Sequence, residues 1–391
     1  MILKNLRINE IRDYLVKERK FFLINSLILF ILIFLPGFLL LGIENSKSFI
    51  YLILKKPLDP RADSPLIKSK EYASELFLEL EKLDHKYKSF IGWRPEPTKM
   101  KFTNISEKYN NRISVGEKLD KSTWFFGGST TWGFGTPDWE TIPSLYHIKT
   151  GEKVFNFGEQ GWVSRQSLNQ FITAIADGNK PSKVIFYSGV NDMSVGCDLT
   201  INNYPYHSRQ RQISQKLEKI NFQAKAINFI TRPYIKIINK IYPKKDLTIT
   251  SSQHACHTNK KRAQIVANHL VNNWYVAYLI SKSNDSKFYT VLQPNVITSN
   301  SQNQNFNHVK NEKNFFPTYE AEVNAVYPLI ISKVKSFCKV DINFCNSFID
   351  GSNWISNKEK VYIDSAHLTK KGNQIIVENL IQNINHINKK N

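Results

Sequence analysis

Carboxylates are scarce in this chain: 33 Asp and Glu stand against 53 Lys and Arg, a formal net charge of +20 over 391 residues. That sign favours anionic surfaces such as lipid headgroups or acidic polysaccharide. The charge is spread along the chain and no nucleic-acid recognition motif accompanies it, so nucleic acid is not an expected partner. Cysteine is sparse as well. Cys197, Cys256, Cys338 and Cys345 form no Cys-x-x-Cys pair, which argues against a zinc ribbon or a thioredoxin-like motif. Such a set fits two disulfides in an oxidising compartment, or four buried thiols in a reducing one. His254-Ala-Cys-His257 has no carboxylate or further cysteine at ligand spacing, so neither a metal nor a cofactor is expected. Gly127–Gly135 lacks the Gly-Lys-Ser/Thr ending of a phosphate loop, and Thr131 breaks the Gly-x-Ser-x-Gly elbow of α/β-hydrolases.

Long apolar runs are absent except for one. Phe21 to Ile43 is apolar apart from Asn25, Ser26 and the Pro36-Gly37 pair. As a helix it would span about 35 Å, enough to cross a hydrocarbon core, and it shows no polar face. No Ala-x-Ala cleavage site follows, so a retained anchor over 21–43 is expected rather than a signal peptide. Lys4, Arg7, Arg12, Lys17, Arg19 and Lys20 precede it, and the basic excess nearest the run is on that side. The positive-inside bias puts residues 1–20 in the cytoplasm and everything after the anchor outside, in the periplasm or at the cell surface. That orientation favours the disulfide reading. Four cysteines allow three pairings. Cys338 and Cys345 enclose one short segment, while Cys197 begins and Cys256 ends one long insertion, so the pairs Cys197–Cys256 and Cys338–Cys345 are expected.

Residues 44–120 read as a stalk and small subdomain: a proline-rich linker over Pro57–Pro65, a helix over Ser69–Tyr87, then short extended pieces and turns. From residue 121 a βα alternation begins. Strands are expected at Thr123–Phe126, Lys153–Phe157, Lys183–Tyr187, Phe288–Leu292 and, more weakly, Ser347–Asp350. Helices are expected at Ser164–Ala176, Arg262–Ser281, Tyr319–Lys335 and Lys370–Ile384. Alternation of this kind predicts an α/β fold, a parallel sheet covered by helices on both faces. The domain over 121–391 carries an insertion at 197–256 with one or two helices around Ile213–Ile241. Ile297–Asn314 is rich in Asn, Gln and Ser and reads as a loop.

Functional residues of a doubly wound sheet gather at the carboxyl ends of its strands. Ser129 follows the first strand, Gly161 the second and Asn191 the third, and Asp364 and His367 follow the fifth. A serine hydroxyl needs a base to take its proton. His367 is that base, and Asp364, three residues earlier, reaches the other ring nitrogen and fixes the tautomer. The backbone N–H groups of Ser129 and Gly161 and the Asn191 amide are the candidate oxyanion donors. Trp132 and Trp162 flank the site in sequence; they either stack on a sugar ring or, the more common fate, pack into the core.

These four blocks resemble the SGNH hydrolase superfamily, the GDSL-type esterases, over roughly Ser122–Ile384. The nucleophile block corresponds to Gly128-Ser129, the glycine block to Gly161, the Gly-x-Asn-Asp block to Gly189–Asp192 and the Asp-x-x-His block to Asp364–His367. One departure stands out: Gly-Gly-Ser replaces Gly-Asp-Ser. The resemblance implies a three-layer, flavodoxin-like sheet with Ser129 as nucleophile, Gly161 and Asn191 as oxyanion donors, and Asp364 and His367 as the relay. For an anchored outward-facing member it implies a serine esterase acting on O-acyl, above all acetyl, groups of an envelope glycan. The same residues would serve an O-acetyltransferase, and the fold also accommodates an inactive glycan-binding or assembly protein.

Overall fold

The computed structural model describes residues 16–35, 57–198, 255–301 and 312–390. The helices expected around Ile213–Ile241, residues 302–311 of the Asn-rich loop and residues 36–43 of the apolar run lie outside them. Contacts divide the chain into two units: residues 1–54 with 215–248, and residues 55–214 with 249–391. Of the first, a helix over 16–35 (α1) is described. Most of its apolar side chains, among them Phe21, Phe22, Leu27 and Phe30, are exposed. Among the described residues no helix is long and apolar enough to cross a membrane.

The second unit opens with α2 (Lys70–Glu81). Ser69 caps it by accepting from the Tyr72 N–H, and Ala73, Leu76, Phe77 and Leu80 form its buried stripe. The expected helix over 69–87 stops early because His85–Lys88 (β1) pairs antiparallel with Gly92–Pro95 (β2). Cross-strand pairing here overrides the helical periodicity of the local sequence.

Five parallel strands make the main sheet: β3 (Thr123–Gly127), β4 (Val154–Asn156), β5 (Lys183–Ser188), β6 (Lys287–Leu292) and β7 (Phe348–Asp350), in the order β4-β3-β5-β6-β7. Each of the expected strands is present. β3 and β5 are buried at every position, as strands covered on both faces must be. Phe126 of β3 stacks on Phe157 and on Phe186 of β5 at 4.9 Å, an aromatic core that ties the two central strands together.

The helices are α3 (Ser129–Trp132), α4 (Ile142–Thr150), α5 (Ser164–Ala176), α6 (Val190–Cys197), α7 (Lys260–Ser283), α8 (Glu312–Phe337), α9 (Ile342–Ser347) and α10 (Lys370–Lys390). α4 packs with α10, whereas α7 packs with α5, α6 and α8. The strand order reverses at β3, so crossovers of one hand place these two groups on opposite faces. The reversal also opens a crevice at the carboxyl ends of β3 and β5.

Both disulfides form in the expected pairing. Cys197, at the end of α6, joins Cys256, with Cα atoms 5.1 Å apart across 59 positions of sequence. Cys338 joins Cys345, with Cα atoms 5.0 Å apart, between α8 and α9. The longer bridge closes a large loop in the unfolded chain, which by loop entropy stabilises the native state by about 4 kcal/mol. Replacing Cys197 and Cys256 together with serine should therefore lower the denaturant midpoint substantially, while losing Cys338–Cys345 should cost less. Equal midpoints for the wild type and the Cys197/Cys256 variant, in oxidised protein verified by peptide mapping, would remove this assignment of stability.

Candidate active site

Ser129 begins α3 directly after β3, with Gly128 as the helix N-cap. Its Oγ–H donates to His367 Nε2 at 2.6 Å. The opposite ring nitrogen, Nδ1, carries its proton to Asp364 Oδ2, also at 2.6 Å. Asp364 and His367 occupy a tight turn ahead of α10. Asp364 Oδ1 accepts from the backbone N–H groups of Ala366 at 2.9 Å and His367 at 2.8 Å, and the Ile363 N–H closes the turn on the His367 carbonyl. The side chain of Asp364 is 6% exposed and that of His367 15%, so the pair is largely shielded from water.

Burial raises the proton affinity of the Asp364 carboxyl. The charge and hydrogen bond of His367, with the charge of Arg61, outweigh it and hold the group far below the ordinary carboxylate range. An aspartate that stays ionised fixes the Nδ1–H tautomer and leaves Nε2 able to accept the serine proton.

The third strand end supplies Asn191, in the first turn of α6. Its Nδ2 donates to the Trp162 carbonyl at 2.9 Å. An amide has two N–H donors, so one holds the neighbouring loop and the other is available to a substrate. A Cβ built on Gly128 would lie 2.3 Å from that same Nδ2. At the Gly-Gly-Ser departure the Asn191 amide therefore sits in the space a side chain at position 128 would enter. Asp192, fully buried, accepts from both the N–H and the hydroxyl of Ser164 at the start of α5. Burial pushes its carboxyl up to about 6 in spite of those bonds.

Gly161 adopts φ 68°, a backbone conformation that glycine takes without strain. The loop that carries it is braced from behind by Arg94 of β2. Arg94 pairs with Glu159 at 3.3 Å, both side chains essentially unexposed, and its Nη1 donates to the Gly158 carbonyl. Removing either partner would leave a buried charge uncompensated.

The strand ends thus bring Ser129, Asp364, His367 and Asn191 to one rim, with Gly161 on the loop that Asn191 grips. The two tryptophans are a correction. Trp132 is unexposed beneath Arg112, whose guanidinium lies 4.4 Å from its ring, and Trp162 is 1% exposed beneath Arg94 at 4.9 Å. Both are core residues stacked under buried cations, which takes up the ring face that stacking on a sugar would need.

Sequence reasoning missed Arg61 and Asp59. Arg61 Nη1 donates to Asp364 Oδ2 at 3.0 Å, while Nε and Nη2 donate to Asp59 at 2.9 and 2.6 Å. They lie in the proline-rich stretch that reads as a linker, and a contact across 303 positions leaves no local signal.

Ser129→Ala and His367→Ala should each abolish turnover of p-nitrophenyl acetate with the fold intact, and Asp364→Asn should cost less than either. Asn191→Ala should lower kcat about a hundredfold or more with little change in KM. Gly128→Ala should imitate it, because the new methyl displaces the amide. Full activity in Ser129→Ala protein would eliminate the nucleophile; an unchanged kcat in Asn191→Ala would eliminate the oxyanion donor.

Residues 124–380 match the family model described as GDSL-like Lipase/Acylhydrolase. No curated protein matches the chain. Among solved structures the chain is similar to a GDSL-like lipase from Bacteroides thetaiotaomicron, at 14% identity over 69% of this chain and 89% of that one, with a TM-score of 0.36. It is similar to an acetylxylan esterase from Geobacillus stearothermophilus at 14% identity over 70% and 96%, TM-score 0.34. A member of the lipolytic protein G-D-S-L family from Veillonella parvula gives 9% identity over 66% and 96%, TM-score 0.33. The family match spans well over half of the chain and includes every residue of the relay: this protein belongs to the GDSL-like lipase/acylhydrolase family.

Proposed function

We propose that the protein is a membrane-anchored serine esterase that removes O-acetyl groups from an envelope glycan outside the cytoplasm. The observation that carries the chemistry is the unbroken chain Ser129–His367–Asp364, with both links at 2.6 Å. His367 Nε2 takes the Ser129 proton as Oγ attacks the acyl carbon. The negative charge then forming on the carbonyl oxygen is met by N–H donors from Ser129, Gly161 and Asn191. As the intermediate collapses, the imidazolium returns the proton to the leaving sugar oxygen, and an acyl-serine remains. Water, deprotonated by the same imidazole, attacks that ester and releases the acid and the free serine.

Three features support the anchor and the location. The apolar run Phe21–Ile43 has a basic flank on its N-terminal side. The described part of it, within α1, leaves most of its large apolar side chains exposed. Two disulfides fit an oxidising compartment. The acetyl group is proposed because anchored, outward-facing relatives of this type commonly act on glycan O-acyl groups, and the net charge of +20 suits an anionic polymer or surface.

Mass spectrometry of purified protein with an acetylated glycan, with and without an unacetylated acceptor, tests the reaction. Release of acetate by the wild type and not by Ser129→Ala is the expected result. Transfer to the acceptor without acetate release would make the protein an O-acetyltransferase. No turnover together with no labelling of Ser129 by a fluorophosphonate would make it a non-catalytic binder. A reporter fused after Asn391 should be active only outside the cytoplasm, and activity only inside would overturn the orientation.

A further inference from the structure

The acidic member of the relay does not end the chain of contacts. The oxygen of Asp364 that receives the His367 Nδ1 proton is the one Arg61 Nη1 touches, at 3.0 Å. Arg61 is itself fixed. Asp59 accepts from its Nε and Nη2, and its guanidinium lies 4.0 Å from the centre of the Phe134 ring. The same ring packs against the His367 imidazole, centroids 4.9 Å apart. A short 3-10 turn, Pro60–Asp63, capped by Asp59, holds the arginine in place. Asp59, Arg61 and the turn that holds them lie outside residues 124–380, the part that matches the family.

We propose that Arg61 is a positioning residue of this active site: it locks the Asp364 carboxylate and tempers how strongly that carboxylate holds the imidazole proton. The proposal rests on the seryl-esterase reading. A cation on the shared oxygen draws electron density from the hydrogen bond to Nδ1, so the imidazolium is stabilised less than by a free aspartate. Asp59, which shares the guanidinium with Asp364, offsets part of its charge, while Lys370 and Lys371, on the helix after His367, turn to Glu140 and Glu359. Burial depresses the Arg61 guanidinium's affinity for its proton, and the two aspartates more than restore it, so the cation persists throughout.

The test is the pH dependence of kcat/KM for p-nitrophenyl acetate in the full chain. Arg61→Gln should move the acid limb up by about half a pH unit or more and lower kcat by about tenfold at constant KM. Arg61→Lys should keep the limb near its native position. Asp59→Asn, which removes a negative charge and leaves the guanidinium, should move the limb down. Opposite shifts in the two variants are not produced by loosened packing. Native acid limbs in both Arg61→Gln and Asp59→Asn would overturn the proposal; so would limbs that move the same way. If Arg61→Gln fails to fold by circular dichroism, Asp59→Asn decides alone, a downward shift supporting the proposal and an unmoved limb overturning it. Fluorophosphonate labelling of Ser129 in wild-type protein separates this result from failure of the esterase reading itself.

Discussion

The site depends on a buried negative charge. Removing a carboxylate from water costs several kcal/mol, and Asp364 recovers that cost only through its four donors: two backbone N–H groups, the His367 imidazole and Arg61. Charge-assisted bonds of this kind contribute roughly 1.5–3 kcal/mol each. The backbone pair bends residues 364–367 into the turn that presents the imidazole to Ser129. The same bonds that make the charge tolerable therefore set the catalytic geometry. Because the folded group holds its proton more weakly than the unfolded one, its contribution to stability is present above an unfolded pKa near 3.9 and is lost as pH falls below that.

Around that charge the fold behaves as two jaws. One is the β3–α3 turn with Ser129, the proposed nucleophile. The other is formed by the loops after β4 and β5, which Asn191 fastens together through the Trp162 carbonyl. Asp192 fastens the same loops a second time by capping α5 at Ser164. Buried cations stiffen the jaws from behind: Arg94 under the glycine loop, and Arg112, which bonds Asp138 and the carbonyls of Gly133 and Thr136 beyond the nucleophile helix. A preorganised oxyanion site requires such rigidity, since donors that must reorient lose their advantage when charge develops. The Cys197–Cys256 bridge adds to it by tying down the far end of the helix that begins next to Asn191.

The N-terminal segment between the apolar run and the sheet is more than a spacer. It supplies β1 and β2, whose Arg94 supports the oxyanion loop, and the turn that carries Arg61 to the relay. Residues over 57–117 thus contribute three cations, Arg61, Arg94 and Arg112, around Ser129, Asn191 and the Asp364–His367 turn, which all lie beyond residue 120.

How much of this was legible follows from the range of each interaction. Strands β3 and β5 were readable because each is a short, largely apolar run ending in glycine or a polar residue, and burial on both faces needs little more. The gathering of Ser129, Asp364 and His367 at one rim was readable because a parallel sheet brings the segments after its strands together. The cysteine pairing followed from loop boundaries visible in the sequence. Three things were settled only by tertiary structure. The helix over 70–81 ends where a strand partner arrives, because pairing outweighs periodicity. Trp132 and Trp162 are platforms for arginines from another segment, because a buried guanidinium needs a shield that local sequence does not announce. Arg61 reaches Asp364 across 303 positions, because electrostatic contact depends on distance in space and leaves no period in the chain.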